Sequence, residues 1–281
     1  MIVVTGATGN VGRELVRILA TAGARVTATS RNISDAEVPD GVRQMRADLT
    51  DAESLRPVFD GADALFLHDG GAGAHLLRPR DVLDAAKASG IGRVVLLSSL
   101  GVVTRPESPS HGGVMRAVED AVRESGLDWT ILRPGSFHTN AYAWVEPVRA
   151  HRTAPAPFGD VGLPTVDPAD IAEVAAVALR EDGHVGAVYE LTGPAPTTPR
   201  QRAAAIGEAL GEPVRFVEQT REEAREQMLA FMPEPVVETS LAILGAPTPA
   251  EQRVSADVER VLGRAPRGFA EWARRNAAAY R

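Results

Sequence analysis

The chain has 281 residues, of which 44% are hydrophobic and 24% charged, values typical of a globular protein with a buried core. Its net charge of −7 argues against direct binding to phosphate backbones, because nucleic-acid binding requires a basic patch. The sequence contains no run of about 18 apolar residues, so no membrane span is predicted. The absence of cysteine excludes disulfides and thiolate chemistry. A first strand predicted at residue 2 leaves no room for a signal peptide, so we expect a cytoplasmic location.

The first half of the chain alternates short apolar runs with longer amphipathic segments, as βαβ units of a parallel sheet do. Glycines at the ends of the predicted helices support this division: Gly23, Gly61, Gly90 and Gly126. We predict an α/β fold, a doubly wound parallel (Rossmann) sheet with a small C-terminal α-rich lobe. Its strands are predicted at residues 2–5, 25–30, 43–47, 64–68, 94–98, 129–132 and 188–191.

The sequence pattern changes after residue 192, which divides a dinucleotide-binding domain (1–192) from a lobe (193–281). The segment "GPAPTTPRQ" predicts a hinge, followed by a helix ending near Gly211, a short strand in "PVRFVEQT" and three helical stretches. The segment "TAPAPFGDVGLP" (153–164) is predicted as a loop. We expect the lobe to cover the carboxyl edge of the sheet, where open α/β folds bind their ligands.

The segment "TGATGNVG" carries glycines at Gly6, Gly9 and Gly12, between the first strand and a helix predicted at residues 10–22. Such glycines permit a sharp turn and let backbone amides approach a pyrophosphate. The helix start adds its amides and the positive end of its dipole. In this context the pattern predicts a dinucleotide site, with Thr8, Asn10 and Val11 also in contact with the ligand.

The second strand ends at Ser30, Arg31 and Asn32, where an NAD-specific protein usually carries an acidic residue. Arginine offers a charge-assisted fork to a ribose 2′-phosphate, so we predict NADP(H) as the cofactor. A solvated strand-end arginine is the alternative. After the third strand, Asp48 and Leu49 are predicted to contact the adenine, with an N-cap role for Asp48 as an equal alternative.

After the fourth strand, Leu67 and His68 are predicted beside the adenosine half of the cofactor.

Together, "TGATGNVG", "RADL", "VVLLSSLG", "EDAVRESGLDWTILRPGSFHTN" and "DPADIAEVAAVAL" resemble the NmrA-like branch of the atypical short-chain dehydrogenase/reductases over residues 1–194. That family includes NADPH-dependent reductases of ketones and quinones, and also redox sensors that bind the cofactor without chemistry. The resemblance implies that Pro134, Gly135 and Phe137 line the nicotinamide end and that Asn140 points toward the substrate. A simple strand-ending turn at Pro134 and Gly135 is compatible with this role.

Active members of the wider superfamily pair a tyrosine with a lysine four residues later, so that the tyrosine protonates the carbonyl oxygen. Alignment on "EDAVRESGLDWT" places His111 and Met115 at those two positions. The sole lysine is Lys87, and no tyrosine stands four residues before it. The usual catalytic pair is therefore absent.

Three hypotheses remain open. The protein is a non-catalytic NADP(H) sensor with a protein partner, or His111 replaces the proton donor, or the substrate assists its own protonation. A phenol beside the carbonyl already stabilises the developing alkoxide, and a quinone yields a stabilised phenolate. The alternative for His111 is that it has no catalytic role and lies in an ordinary polar loop before a helix.

The leading prediction is an NADPH-dependent reductase of a ketone or quinone on a polycyclic aromatic molecule. An arginine-rich composition with one lysine suggests a high-GC, actinomycete-like source, where aromatic polyketides of antibiotic biosynthesis offer such carbonyls. Ser99 is predicted to bind the carbonyl, with strand capping as the equal alternative. Further side chains are predicted to line an apolar substrate pocket, with core packing as the alternative for the apolar ones: Met115, His138, Trp144, Met228, Phe231 and Met232. No cluster has metal-ligand spacing, so no metal is predicted.

Overall fold

A computed structural model of the protein describes residues 1–32, 38–68, 76–108 and 110–281. Seven parallel strands form the main sheet in the order β3-β2-β1-β4-β5-β6-β8, and two more strands, β7 and β9, form a separate parallel pair. Each main-sheet strand lies within two residues of its predicted bounds. The strands are β1 Ile2–Thr5, β2 Val26–Ser30, β3 Arg43–Arg46, β4 Ala64–His68, β5 Arg93–Leu97, β6 Asp128–Pro134, β7 Thr153–Pro157, β8 Ala187–Leu191 and β9 Arg215–Gln219.

Helices connect these strands, and 3₁₀ helices occupy His138–Trp144 and Ala277–Tyr280. The α-helices of the described residues are α1 Asn10–Thr21, α2 Ala52–Phe59, α3 Pro79–Ala88, α4 Gly101–Thr104, α5 Gly112–Glu124, α6 Val145–His151, α7 Pro168–Arg180, α8 Pro199–Leu210, α9 Arg221–Leu229, α10 Glu234–Gly245, α11 Pro249–Gln252, α12 Asp257–Leu262 and α13 Phe269–Arg275. None of them is long and apolar enough to cross a membrane.

Both faces of the main sheet are buried under helices, as a doubly wound sheet requires. Val4 of β1 packs in a core with α1 and α7, which includes Leu15 and Ile171. Its neighbour Val3 points to the other face, into a core with α2, α3 and α5. This alternation along one strand confirms the predicted Rossmann architecture.

The strand order reverses between β1 and β4, because the chain builds β2 and β3 on one side of β1 and then crosses to the other. At such a point an open α/β sheet has a crevice at its carboxyl edge. The glycine-rich segment follows β1 directly, so the fold places it in this crevice.

The lobe includes residues from both sides of the predicted boundary at 192. Strand β7, in the segment predicted as a loop, pairs with β9 in the register Thr153 with Arg215. The prediction was wrong because Pro155 and Pro157 disfavour strands, whereas a two-stranded pair has free edges that tolerate them. Five α-helices and a 3₁₀ helix, rather than three helical stretches, follow β9, and α12 packs against α7 and β8.

Buried carboxylates on the α7 side of the sheet fix the end of the chain. Asp170 is fully buried and accepts hydrogen bonds from Arg264 and from both the backbone and the side chain of Arg267. Asp167, the N-cap of α7, pairs with Arg275. These ion pairs tie the C-terminal segment that carries Arg264, Arg267 and Arg275 to α7.

Candidate active site

The turn after β1 is tight enough to require glycine at two positions. Gly6 has a φ of +61°, and a Cβ there would lie 2.5 Å from Nε2 of His68. At Gly12 a Cβ would lie 2.2 Å from the carbonyl oxygen of Gly6, whereas Gly9 is less crowded, with that oxygen at 3.2 Å. The glycine spacing therefore lets the first turn of α1 pack directly on the loop.

The N-terminus of α1 faces the crevice without a competing side chain. Its N-cap, Gly9, has no side chain to cap the helix, and its first turn carries no acidic residue. The first amides of a helix have no partner within the helix, so they are available to a ligand. The dipole and these amides together favour a phosphate at this position.

A cleft of about 390 Å³ extends from this helix start along the carboxyl edge of the sheet. Its volume lies within the range of small-molecule sites. The predicted cofactor residues Gly6, Thr8, Gly9, Asn10, Val11, Gly12, Ser30, Arg31, Asn32, Asp48, Leu49, His68 and Phe137 line it. Seven further lining residues were not predicted from the sequence: Thr5, Thr29, Ala47, Thr50, Leu55, Phe66 and Leu97. Strand alternation would have placed several of them on the same face as predicted residues.

Two hydroxyls in the cleft wall have no partner among the described residues. Oγ1 of Thr29 and Oγ of Ser30 are buried and make no hydrogen bond there. Buried polar atoms are normally satisfied, so such atoms in a cleft suit a polar ligand. With exposed Arg31 and Asn32 beside them, these groups fit the ribose end of a dinucleotide.

Asp48 is held in place by the residues that follow it. Its Oδ1 accepts hydrogen bonds from the backbone N–H and the hydroxyl of Thr50, both at 2.9 Å. These bonds, aided by the charge of Arg31, lower the pKa of Asp48, so the carboxylate is ionised. The alternative role as an N-cap is wrong, because Asp51 caps α2 through the N–H of Glu53.

The prediction for Leu67 was wrong. Its side chain is fully buried in the core on the α2 and α3 face, because successive residues of β4 point to opposite faces. His68 and Phe66 line the cleft instead.

The predicted nicotinamide residues occupy the end of β6 and the loop after it. The carbonyl of Pro134 accepts from the N–H of Leu100, and the N–H of Gly135 donates to Leu191. These bonds show the strand-ending turn, and Phe137 lines the cleft just beyond it. Contact of Pro134 and Gly135 with nicotinamide stays a prediction. Asn140 is exposed on the following 3₁₀ helix.

The two predicted catalytic residues lie close together near Gly101. A Cβ on Gly101 would lie 3.2 Å both from Oγ of Ser99 and from Cβ of His111. Oγ of Ser99 accepts a hydrogen bond from the N–H of Gly101, and Nδ1 of His111 is 2.9 Å from the hydroxyl of Ser110. Burial lowers the pKa of His111, so the imidazole is neutral at pH 7.

The tyrosine hydroxyls and the amine of the single lysine form hydrogen bonds with groups other than Ser99 and His111. Nζ of Lys87 donates to the carbonyl of Ser125. Tyr142 donates to Asn276, and the hydroxyl of Tyr280 donates to the carbonyl of Ala141. The remaining phenol, on Tyr189, bonds the ring of His184. The structure brings no tyrosine and lysine together as a proton-donating pair.

Several predicted pocket residues pack in cores instead. Met115 is buried between α5 and the sheet, because it follows the helical spacing of the buried face. His138 and Trp144 are buried under the lobe, where Nδ1 of His138 meets the hydroxyl of Thr165. Met228 packs with Met232 in the small core of α9 and α10.

Phe231, which lies between α9 and α10, is 73% exposed and does not line the cofactor cleft.

Comparison with known proteins agrees with this geometry. Residues 6–182 match the model of a family described as NAD(P)H-binding. A (4-alkanoyl-5-oxo-2,5-dihydrofuran-3-yl)methyl phosphate reductase of Streptomyces griseus is 35% identical, over 100% of this chain and 99% of its own length. An NAD(P)H azoreductase of Xenophilus azovorans is 32% identical, over 100% and 99%.

Solved structures give the same picture. An NADPH-dependent quinone oxidoreductase of Escherichia coli in complex with NADPH superposes with a TM-score of 0.80 and 26% identity, covering 97% of this chain and 98% of its own. A Citrobacter triphenylmethane reductase complexed with NADP(H) gives a TM-score of 0.79 and 25% identity, covering 98% and 99%.

Proposed function

The chain belongs to the NAD(P)H-binding family and is an NAD(P)H-dependent oxidoreductase, and we propose that it reduces a ketone or quinone carbonyl of a polycyclic aromatic small molecule with NADPH. The observation that carries this proposal is the cleft, where the glycine-rich turn, the open N-terminus of α1 and Arg31 combine. Full-length relatives named as reductases favour chemistry over sensing.

Each part of the cleft suits one part of the cofactor. The loop from Gly6 to Gly12 and the first amides of α1 would hold the pyrophosphate. Ser30 and Arg31 would hold the 2′-phosphate, with Asp48 and Leu49 against the adenine. When bound there, NADPH would supply the hydride that the carbonyl carbon of the substrate accepts. The residues of the chain must then orient that carbon, exclude water and provide for the proton.

Reduction of a carbonyl forms a C–H bond, moves the π electron pair to oxygen and requires a proton there. His111 is a weak source of that proton, because burial keeps its imidazole neutral. The hydroxyl of Ser99 accepts from Gly101, which leaves its own hydrogen for the substrate oxygen. We therefore favour substrate-assisted chemistry, in which a neighbouring phenol hydrogen-bonds the developing alkoxide and solvent restores the proton.

A pair of substrates tests this proposal. NADPH oxidation, followed at 340 nm, is compared for 1-hydroxyanthraquinone and 1-methoxyanthraquinone, which differ in the internal hydrogen bond. We expect the hydroxy compound to react at least about tenfold faster, in the range for general acid assistance. Equal rates would refute the assistance but not the reductase. No oxidation with any quinone or ketone, despite NADPH binding, would refute the reductase and favour a sensor.

A further inference from the structure

Arg202, on α8, is a buried cation without a counter-ion in the described part of the chain. Arg202 is only 8% exposed, and its Nε has no hydrogen-bond partner among the described residues. The guanidinium of Arg202 contacts an aromatic ring, with its Cζ 5.7 Å from the ring centroid of Trp144. Two other largely buried arginines are paired, Arg133 with Glu119 and Arg267 with Asp170.

A second unsatisfied polar atom lies at the start of the same helix. Oγ1 of Thr197 is buried and makes no hydrogen bond within the described ranges. Thr198 and Gln201 form a capping box, so Thr197 stands one residue before the N-cap and Arg202 at the fourth helical position. Side chains at these two positions pack against each other, usually as an apolar pair. At the start of α8 these two positions carry a hydroxyl and a guanidinium instead.

An arginine in this environment is destabilising unless a negative group joins it. Burial lowers the pKa of Arg202 to about 10, so the guanidinium stays charged at pH 7. The capping box and the bond from the N–H of Arg200 to Gly159 already use the first amides of α8. The unsatisfied groups are therefore the two side chains, which offer a hydroxyl and a planar donor fork, the recognition chemistry of an oxyanion.

Arg202 is within electrostatic range of His138, the residue after Phe137 of the cofactor cleft. The charge of Arg202 reaches His138 and lowers the pKa of that imidazole, although burial is the larger cause. His138 directly follows Phe137, which lines the cofactor cleft. Thr197 is bridged to Leu163 by two backbone hydrogen bonds, of 2.9 and 3.3 Å.

We propose that Arg202 and Thr197 form a subsite for an oxyanion, a phosphate or carboxylate carried by the substrate. This inference rests on the proposed reductase function, since it assigns a charged substituent to the molecule that is reduced. The charged group binds the lobe while the carbonyl lies toward the nicotinamide.

Binding is tested first without turnover, with inorganic phosphate as the probe. Because Arg202 lies over the ring of Trp144, we expect a saturable change of tryptophan fluorescence in the wild type. Arg202→Met should weaken phosphate binding at least about tenfold, as expected for loss of charged hydrogen bonds. Thr197→Val should weaken it less. Arg200→Met is the matched control, since Arg200 is half exposed and already paired with Asp160 and Glu218.

Stability distinguishes a ligand site from a structural role. Arg202→Met keeps the apolar stem and removes the unpaired charge, so its melting temperature without ligand should rise by about 2 °C or more. With NADPH present throughout to occupy the cofactor cleft, phosphate should raise the melting temperature of the wild type and not of this variant. A fall in melting temperature, or phosphate binding unchanged by both variants, would overturn the proposal.

Kinetics separates a substrate-borne group from free phosphate. We compare 1,4-naphthoquinone with 1,4-naphthoquinone-2-sulfonate in NADPH oxidation by the wild type and by Arg202→Met. The variant should raise KM for the sulfonate at least about tenfold and leave KM for the neutral quinone nearly unchanged. Turnover of both quinones with equal KM changes would overturn the subsite and leave the reductase intact. If phosphate binding requires Arg202 but neither quinone is reduced, the reductase function is refuted. The assignment of the oxyanion to a substrate is then overturned as well.

Discussion

The most direct test of the cofactor loop is Gly12→Ala. The added Cβ would lie 2.2 Å from the carbonyl oxygen of Gly6 and 2.8 Å from its carbonyl carbon. Ordinary contacts of a Cβ begin near 3.4 Å, so the loop and the start of α1 must separate by about 1 Å. Misplacement of a site by 1 Å reduces function by about 10²-fold, and we expect the Kd for NADPH to rise by about that factor.

The assay is titration of NADPH fluorescence, with circular dichroism and thermal unfolding to confirm that the variant is folded. Gly92→Ala is the matched control, because a Cβ at Gly92 meets no atom within 4 Å and the glycine has no positive φ. A folded Gly12→Ala protein that binds NADPH within twofold of the wild type would refute the close packing of the loop against α1 as the basis of binding.

Three further predictions concern single side chains. Arg31→Ala should weaken NADPH binding by about fivefold or more, the loss expected for a hydrogen bond to a charged group when solvent exposure weakens it, and should leave NADH binding unchanged. Equal loss of affinity for both cofactors would contradict the 2′-phosphate role. His111→Gln should keep a near-normal rate with 1-hydroxyanthraquinone, whereas a loss of 10² would make His111 the proton donor. For His138, burial lowers the folded-state pKa from 6.5 to about 4, so the unfolded chain binds a proton first as the pH falls. The wild type should therefore lose about 2 kcal/mol of unfolding free energy between pH 7 and pH 5 from this residue, measured by urea unfolding; an identical pH dependence in His138→Gln would refute it.

The sequence predicts the parallel sheet well because its signals are local. Apolar runs mark the strands, and glycines such as Gly23 and Gly126 adopt the positive φ that ends a helix. The cofactor loop follows from the same logic, since the spacing of three glycines has one steric explanation. Leu67 was assigned to the cleft by its position in the chain, although its parity on β4 directs it into the core.

The lobe was predicted less well because its contacts are distant in sequence. Strand β7 exists through its pairing with β9, about 60 residues later, and no local signal in "TAPAP" predicts it. The same limit applies to the substrate side of the site. Arg202 looks like an ordinary helical arginine in the sequence, and only the packing of α8 against Trp144 reveals that it is buried and unpaired.

The central claim, hydride transfer to a carbonyl substrate, is tested most directly with NADPH deuterated at C4, using each stereoisomer in turn. A hydroxylated polycyclic ketone is incubated with the protein, and the alcohol product is analysed by mass spectrometry. We predict that one of the two isomers adds a single deuterium to the carbinol carbon, with none from the other. Bound NADPH that gives no deuterated alcohol from either isomer would contradict the claim.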